Sequence, residues 1–358
     1  MKKFIALALT AALAVSMVAC RANNDANSST PDSTVNTEST GNTEVTYKTG
    51  VGSVVSVSPK DATNEKGASA QINTTIVAAT FDSEGKVVSA TIDVTQQSGK
   101  FDLKGQADGE VDLRTKNEKG EEYGMKGASS IKKEINEQHE ALAAYWVGKT
   151  VEECVNMPVY EKDEHHTAVP DVEDLKSSVT VTVGDYLKAL QKAYDNAVEC
   201  TGVPAKTGLG IVPSASVTGA DAAKEKGASF QMNTAYIVVA LDEADTVVAA
   251  QLDVAQQKVA FDLEGKVSGE TDLRTKNEKG DDYGMKGASS IGKEIGEQHA
   301  AFTAWMAGKT AADVSGMETY ERDENHTACP ADEDLKASVT VTVGDYLKAF
   351  DKAVANAK

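Results

Sequence analysis

The sequence predicts an α+β fold, with two tandem copies of a small antiparallel sheet carrying helices on one face, preceded by a leader and a polar tether. Three observations predict it. First, long stretches occur twice. Asp112-Leu-Arg-Thr-Lys-Asn-Glu-Lys-Gly120 returns as Asp272 to Gly280, Tyr123-Gly-Met-Lys-Gly-Ala-Ser-Ser-Ile131 as Tyr283 to Ile291, and Ser178-Val-Thr-Val-Thr-Val-Gly-Asp-Tyr-Leu-Lys-Ala189 as Ser338 to Ala349. The offset is 160 (287 − 127 for the glycines, 340 − 180 for the threonines), far beyond the roughly 20–50 residues of solenoid units. A whole domain is repeated, so a site built in one copy is expected twice. Second, the opening third of each copy is rich in Thr, Ile and Val with turn residues between runs. Third, the middle and end of each copy carry apolar residues at helical spacing.

The leader comes first. Lys2 and Lys3 precede the apolar stretch Phe4 to Val18, which has signal-peptide length and is short for a membrane span. It ends in Met17-Val-Ala-Cys20, which resembles the lipobox of bacterial lipoproteins. That resemblance implies cleavage after residue 19, lipidation of Cys20 and anchoring to the outer face of the cell membrane. Several acyl chains on one residue anchor stably where one does not. Residues 20–46 are Asn, Ser, Thr, Asp and Glu with few large apolar side chains, a composition that cannot bury enough surface to offset chain entropy and that suits a disordered tether.

Copy one spans 47–197, a connector 198–206, and copy two 207–358. Ala68 to Phe81 reads as a strand, Asp82 to Gly85 as a turn and Lys86 to Val94 as a second strand. Ser229 to Leu241, Asp242 to Asp245 and Thr246 to Val254 repeat the pattern. Phe101-Asp-Leu and Phe261-Asp-Leu suggest a third short strand. Ser129 and Ser130 suit the N-cap of a helix through Ile131, Ile135, Leu142 and Tyr145 that stops at Gly148, matched by Ile291, Ile295, Phe302 and Trp305. Each copy closes with a Val-Thr-Val-Thr-Val run and a helix carrying Tyr186, Leu187, Leu190 and Ala193. As a strand, Val179 to Val183 would turn its valines inward and present Thr180 and Thr182 together on the opposite face.

The net charge of −19 argues against nucleic acid and against electrostatic binding to anionic lipid. Cys154, Cys200 and Cys329 have no matched counterparts in the other copy, so no disulfide framework is expected. His139 with His299 and His166 with His326 recur beside acids, but without tight metal-ligand spacing, and read as surface or loop histidines. No P-loop, dinucleotide glycine fingerprint, nucleophile elbow or catalytic carboxylate pair stands out, which favours a carrier over a substrate-specific enzyme.

Asp174-Leu-Lys-Ser-Ser-Val-Thr180, followed by Val-Thr and a Tyr-Leu-Lys-Ala-Leu helix, resembles the flavinylation motif of FMN-binding domains, roughly Asp-x-x-Ser/Thr-Gly-Ala-Thr. Such domains occur in flavin-bearing subunits of sodium-pumping quinone reductase and of the Rnf complex. The lipobox, tether, two copies and Tyr-Gly-Met-Lys segment together look most like the PplA-type flavoprotein lipoproteins of Gram-positive extracellular electron transfer. The resemblance implies that a flavin transferase joins the FMN phosphate to Thr180 and Thr340, giving two covalent FMN groups per chain, with Asp174 and Asp334 as the motif acids and Ser177 at the Ser/Thr position. Ala337 departs from that position, and Ser178-Val179 and Ser338-Val339 replace Gly-Ala. Thr182 and Thr342 are second-choice attachment sites. The chain would relay electrons from a membrane donor, such as a quinone-linked dehydrogenase, to acceptors outside the cell.

A second repeated segment competes for notice. Gly124 and Gly127 permit close backbone approach, a helix start near Ser129 would offer N–H groups to an anion, and Tyr123 and Met125 have the character to pack on a flavin ring, with Tyr283 and Met285 doing the same in copy two. The alternative reading is an exported binding or adhesion lipoprotein on the same fold, free of cofactor, in which the threonines are structural.

Overall fold

Two four-stranded antiparallel sheets carry the chain in the computed structural model, which describes residues 45–358. The leader, Cys20 and the tether through residue 44 lie outside the described residues. β1 (Tyr47–Lys60), β2 (Ser69–Asp82) and β3 (Val87–Lys100) form a meander. There follow α1 (Lys116–Lys119), α2 (Met125–Ala128), α3 (Ile135–Trp146), α4 (Val151–Val155), the small hairpin β4 (Val159–Tyr160) and β5 (Val169–Pro170), α5 (Gly184–Asp195) and β6 (Val198–Glu199). A closely similar order follows, with β10 added and no counterpart of β6: β7 (Lys206–Thr218), β8 (Ser229–Leu241), β9 (Val247–Phe261), β10 (Val267–Ser268), α6 (Lys276–Lys279), α7 (Met285–Ala288), α8 (Ile295–Met306), α9 (Ala311–Ser315), β11 (Thr319–Tyr320), β12 (Cys329–Pro330) and α10 (Gly344–Ala355). The sheets run β3-β2-β1-β6 and β10-β9-β8-β7. Among the described residues, no helix is long and apolar enough to cross a membrane.

The hairpins fall where the sequence places them. In the first turn the Asp82 carboxylate accepts the Glu84 and Lys86 N–H groups at 2.9 Å each, and Gly85 takes φ +74°. The expected third strand is smaller: Phe101 makes a single bridge to Ala107, and Phe261 ends β9. β1 and β7 were not anticipated, because Gly50, Gly52, Gly208 and Gly210 break the β-rich pattern. Their reason is tertiary. A Cβ on Gly50 or Gly52 would collide with the Ala193 or Ala189 carbonyl oxygen of α5, and one on Gly208 or Gly210 with the Ala353 or Ala349 oxygen of α10. The helix backbone lies directly on the strand, and only glycine admits it. These pairs also show that the offset between halves is 158 over the first strands (208 − 50) and 160 thereafter (353 − 193). The loop 219–228 is two residues longer than 61–68.

Period-2 alternation divides β2 between two cores. Val77, Ala79 and Phe81 face the helices, packing with Leu142, Trp146, Val183 and Leu190. Ile72, Ile76 and Ala78 face the second sheet, packing with Phe230, Tyr236, Val238 and Phe261. Burial on both faces explains why Thr74 to Phe81 is buried without interruption. The second half has its own helix-facing core around Phe302, Met306, Val343 and Phe350. The two sheets thus pack face to face with helices outside, and the described residues form one compact unit.

Contacts across the sheet interface are reciprocal. Lys192 pairs with Glu278 at 2.5 Å and Lys352 with Glu118 at 2.6 Å. The Ala62 N–H donates to the Gly265 carbonyl, and the Ala220 N–H to the Gly105 carbonyl, both at 2.8 Å. This is the self-complementary geometry of a two-fold interface, realised within one chain. A hydroxyl chain links Thr49, Thr80 and Thr207 at 2.8 and 2.7 Å, and Ser53 meets the Tyr236 hydroxyl at 2.8 Å. The connector is stitched to both sheets, with Val198 opposite Thr49 and the Thr201 N–H donating to the Val248 carbonyl at 2.9 Å.

Two local expectations are corrected. The run Val179–Val183 is not a strand; it is an irregular segment leading into α5. β-branched side chains suit a sheet, but a strand requires a neighbouring edge, and this segment's N–H groups go elsewhere: Val179 to the Leu175 carbonyl, Thr180 to Gln138 and Val183 to the Ala168 carbonyl. The helix expected from Ser129 begins at Ile135. Its N-cap is Glu134, which forms a capping box with Glu137, while Ser129 ends the short α2.

Candidate functional site

The segment from Glu173 to Val183 lies over the start of α3, anchored by buried Leu175, Val179 and Val183. Asp174 sits in a single 3₁₀ turn and is exposed, as is Ser177; Asp334 is exposed at the corresponding turn. Asp174 and Thr180 are therefore on one connection, but no bond joins the acid to the threonine hydroxyl among the hydrogen bonds of the described residues.

Gln138 holds Thr180. This fully buried side chain on α3 accepts the Thr180 N–H at 2.9 Å and the Thr180 hydroxyl at 3.4 Å through Oε1, and it donates from Nε2 to the Lys133 carbonyl at 3.2 Å. A carbonyl can only accept, so the amide orientation is determined. Gln298 repeats the arrangement on Thr340 at 2.9 and 3.3 Å, with Lys293 as acceptor at 3.2 Å. Neither glutamine was singled out from the sequence; only its position on a repeated helix marked it.

The two repeated segments that the sequence left in competition meet here. Ser129 Oγ lies 3.4 Å from Thr180 Oγ1, so the Tyr123–Ser130 loop borders the threonine. Thr182 and Thr342 differ from it: the Oγ1 atom of each is buried without a hydrogen-bond partner. The threonines do not share an outward face: all four are half-buried residues, but the Thr180 and Thr340 hydroxyls are held by a glutamine whereas those of Thr182 and Thr342 have no partner.

The loop is open on its outer side. Gly120, Gly124 and Gly127 have no neighbouring heavy atom within 4 Å of an added Cβ, and Gly124 takes φ +80°. Its anion-binding capacity is already used. The Glu134 carboxylate, itself buried, accepts the Met125 and Lys126 N–H groups at 2.9 Å each, and Glu294 does the same for Met285 and Lys286 at 3.0 and 2.8 Å. The expected free helix N-terminus is replaced by this internal carboxylate. The Tyr123 hydroxyl donates to Gln96 at 3.2 Å, and Lys116 lies 5.1 Å from its ring centroid; Lys276 stands 5.2 Å from Tyr283. Met125 and Met285 are half-buried. Glu134→Ala is expected to release both N–H groups and raise amide exchange across 120–130 by about tenfold or more, as a hydrogen bond to a charged group is worth about 1.5–3 kcal/mol. Exchange mass spectrometry checks this.

Beneath the site runs a buried polar chain that sequence reasoning misplaced. His139 and His299 are not surface histidines; both are fully buried. Asn117 Nδ2 donates to the Ile92 carbonyl at 2.8 Å, so its Oδ1 accepts from His139 Nδ1 at 2.8 Å, and Nε2 must accept the Tyr186 hydroxyl at 2.9 Å. Burial, with Lys116 nearby, lowers the His139 pKa to about 3. The Asn277–His299–Tyr346 chain repeats it at 2.7 and 2.9 Å, with His299 also at about 3. Asp93 is buried and Asp253 half-buried below these chains, and desolvation raises each to about 6 despite N–H donors from Val94 and Asn117 or Val254 and Asn277. These chains lock α1 and α3 to β3 and α5, and so fix where Gln138 stands.

The remaining chemistry-bearing residues lie apart. His166 and His326 bond Asp163 and Asp323 at 2.7 Å in exposed turns. Arg322 donates to the Thr340 carbonyl at 2.9 Å, where the first half has Lys162. Cys154, Cys200 and Cys329 are free, and burial pushes the Cys154 thiol up to about 12. Among the described residues, no group of three or more His, Cys, Asp or Glu side chains is placed to hold a metal ion. A cavity of about 450 Å³ lies between the halves, lined by Asp93, Asn117, Leu209, Ile211 and Lys352; Thr180 is not part of it.

No family model, curated protein or solved structure matches this chain.

Proposed function

We propose that the protein is a lipid-anchored carrier built of two copies of an FMN-binding-type domain, with FMN joined by phosphoester bonds to Thr180 and Thr340, and that it relays electrons from a membrane donor to acceptors outside the cell. The observation that carries this reading is the paired placement of Thr180 and Thr340. Each is half-buried, has its hydroxyl held by a buried glutamine, and ends a six-residue spacing from an exposed aspartate. In the first half it also borders an open glycine-bearing loop. The residues fit an ester at Thr180 and Thr340, and do not fit one at Thr182 or Thr342, whose hydroxyls are enclosed. A bound isoalloxazine would supply the redox chemistry. The chain's part is to hold the linkage, present Tyr123 and Met125, or Tyr283 and Met285, beside it, and keep the surrounding loop rigid through Glu134 and Glu294. Lipidation at Cys20 and a flavin transferase complete the reading.

The cofactor-free alternative draws on one observation. The bonds that Thr180 makes to Gln138 and Ser129 are also those of a threonine that merely pins a loop. The two readings part on a denaturing gel, where only covalent flavin survives unfolding. Co-expressed with a flavin transferase and exported, the protein is expected to give a fluorescent band and an intact mass with two FMN adducts. Thr180→Ala is expected to leave one adduct, and the Thr180→Ala/Thr340→Ala double variant none. An unmodified mass for the unaltered chain under these conditions would leave the adhesion or binding reading standing.

A further inference from the structure

We infer that Gln138 and Gln298 are positioning residues for the modification itself, selecting Thr180 over Thr182, and Thr340 over Thr342, as the acceptor hydroxyl; this rests on the carrier reading above. Four observations lead to it. Each glutamine is fully buried, yet its carbonyl is spent entirely on one threonine, taking both that residue's N–H and its hydroxyl proton. The amide is held in this orientation by the Lys133 or Lys293 carbonyl on its other side. The contact is the same in both halves, whereas the Ser129 contact to Thr180 belongs to the first. Two residues along, Thr182 and Thr342 have hydroxyls enclosed without any partner.

The chemistry follows from which atom is held. When the hydroxyl donates to Gln138, its lone pairs are left free of α3. Attack on an activated flavin mononucleotide, a phosphoric anhydride, forms the Thr180 Oγ–P bond and breaks the P–O bond to the leaving phosphate ester. The hydroxyl proton passes to a base of the transferase, because an amide carbonyl orients a hydroxyl but does not take its proton. Gln138 therefore acts by fixing the angle and reach of Oγ1, and misplacement of a nucleophile by about 1 Å costs up to about a hundredfold in rate.

The two sites in one chain supply an internal standard. The full chain carrying Gln138→Met, which keeps length and loses both bonds, is modified by limiting transferase, and the ratio of flavin at Thr180 to flavin at Thr340 is read by peptide mass spectrometry. That ratio is expected to fall by roughly tenfold or more, with faster exchange of the Thr180 amide and normal modification at Thr340; Gln298→Met should do the reverse. Gln138→Glu, whose protonated carboxyl restores both an acceptor for Thr180 and a donor for Lys133, is expected to recover Thr180 modification as pH is lowered. Because the halves share a core, a glutamine needed only for folding would depress both sites together, and that outcome refutes the proposal. So does a wild-type ratio in Gln138→Met, which would leave the carrier reading intact. Absence of flavin from both threonines in the unaltered chain defeats the carrier reading first, and this proposal with it.

Discussion

Phe230→Ala is expected to destabilise the whole described unit by about 3–5 kcal/mol, the usual range for deleting a fully buried aromatic side chain, in one transition. Phe230 lies on β8 in the core between the sheets, and its ring rests where Gly99 of β3 has no side chain. The void therefore opens on both halves at once. Each half owns a helix-facing core, but the sheet faces carrying Ile72, Ile76, Tyr236 and Val238 have only each other to bury against. Calorimetry of the unaltered protein should show a single peak, with calorimetric and van't Hoff enthalpies in agreement. In the variant that peak should move down by roughly 5–10 °C, given the large unfolding entropy of a unit this size. Two resolved peaks, with only one displaced, would mean the halves unfold independently.

The second large effect concerns acid. The buried His139 and His299 have folded pKa values of about 3 against 6.5 for the free side chain. Below pH 6.5 the unfolded chain takes up protons that the folded chain refuses, so their stabilisation is complete above 6.5 and is lost as pH falls toward 3. Asp93 and Asp253 work in the opposite sense. Their folded values of about 6 exceed the ordinary aspartate value of 3.8, so between 6 and 3.8 the folded state holds protons that the unfolded state has released, and acidification stabilises it. Each group contributes about 1.4 kcal/mol per pH unit within its window, and two of each nearly cancel from pH 6 to 4. The Asp93→Asn/Asp253→Asn double variant removes the compensating pair. Its urea midpoint is expected to fall steeply below pH 6, by an amount worth a few kcal/mol at pH 4 relative to the unaltered protein. Parallel midpoint curves from pH 4 to 7.5 would disprove the opposition.

Much of the architecture was legible because it is written in local pattern. The β2–β3 and β8–β9 hairpins have alternating β-branched runs closed by Asp-led turns, and α5 and α10 carry their apolar residues at helical spacing. β1 and β7 were not legible, since their glycines lower strand propensity and are required only by helices arriving more than 130 residues later in sequence. The histidines misled for a related reason. Nothing adjacent to His139 says that Asn117 and Tyr186 will enclose it.

The candidate site divides along the same line. The acid-to-threonine spacing and the Tyr-Gly-Met-Lys loop were visible as repeated strings, but the strand assigned to Val179–Val183 was not formed, and with it went the shared outward face of Thr180 and Thr182. Backbone alternation had made those hydroxyls equivalent; the surrounding packing made them different, giving one a buried glutamine and enclosing the other.

By itself, then, the sequence determined the repetition, the α+β class, the main hairpins and the residues worth watching, because periodicity and turn chemistry act over a few residues. Only the tertiary structure decided that the halves share one core, that Glu134 occupies the loop's N–H groups, that Asp93 and His139 are buried, and which threonine hydroxyl a buried glutamine holds. Each of these depends on a partner distant in the chain, and the burial that shifts a pKa or enforces a hydrogen bond does not exist until that partner arrives.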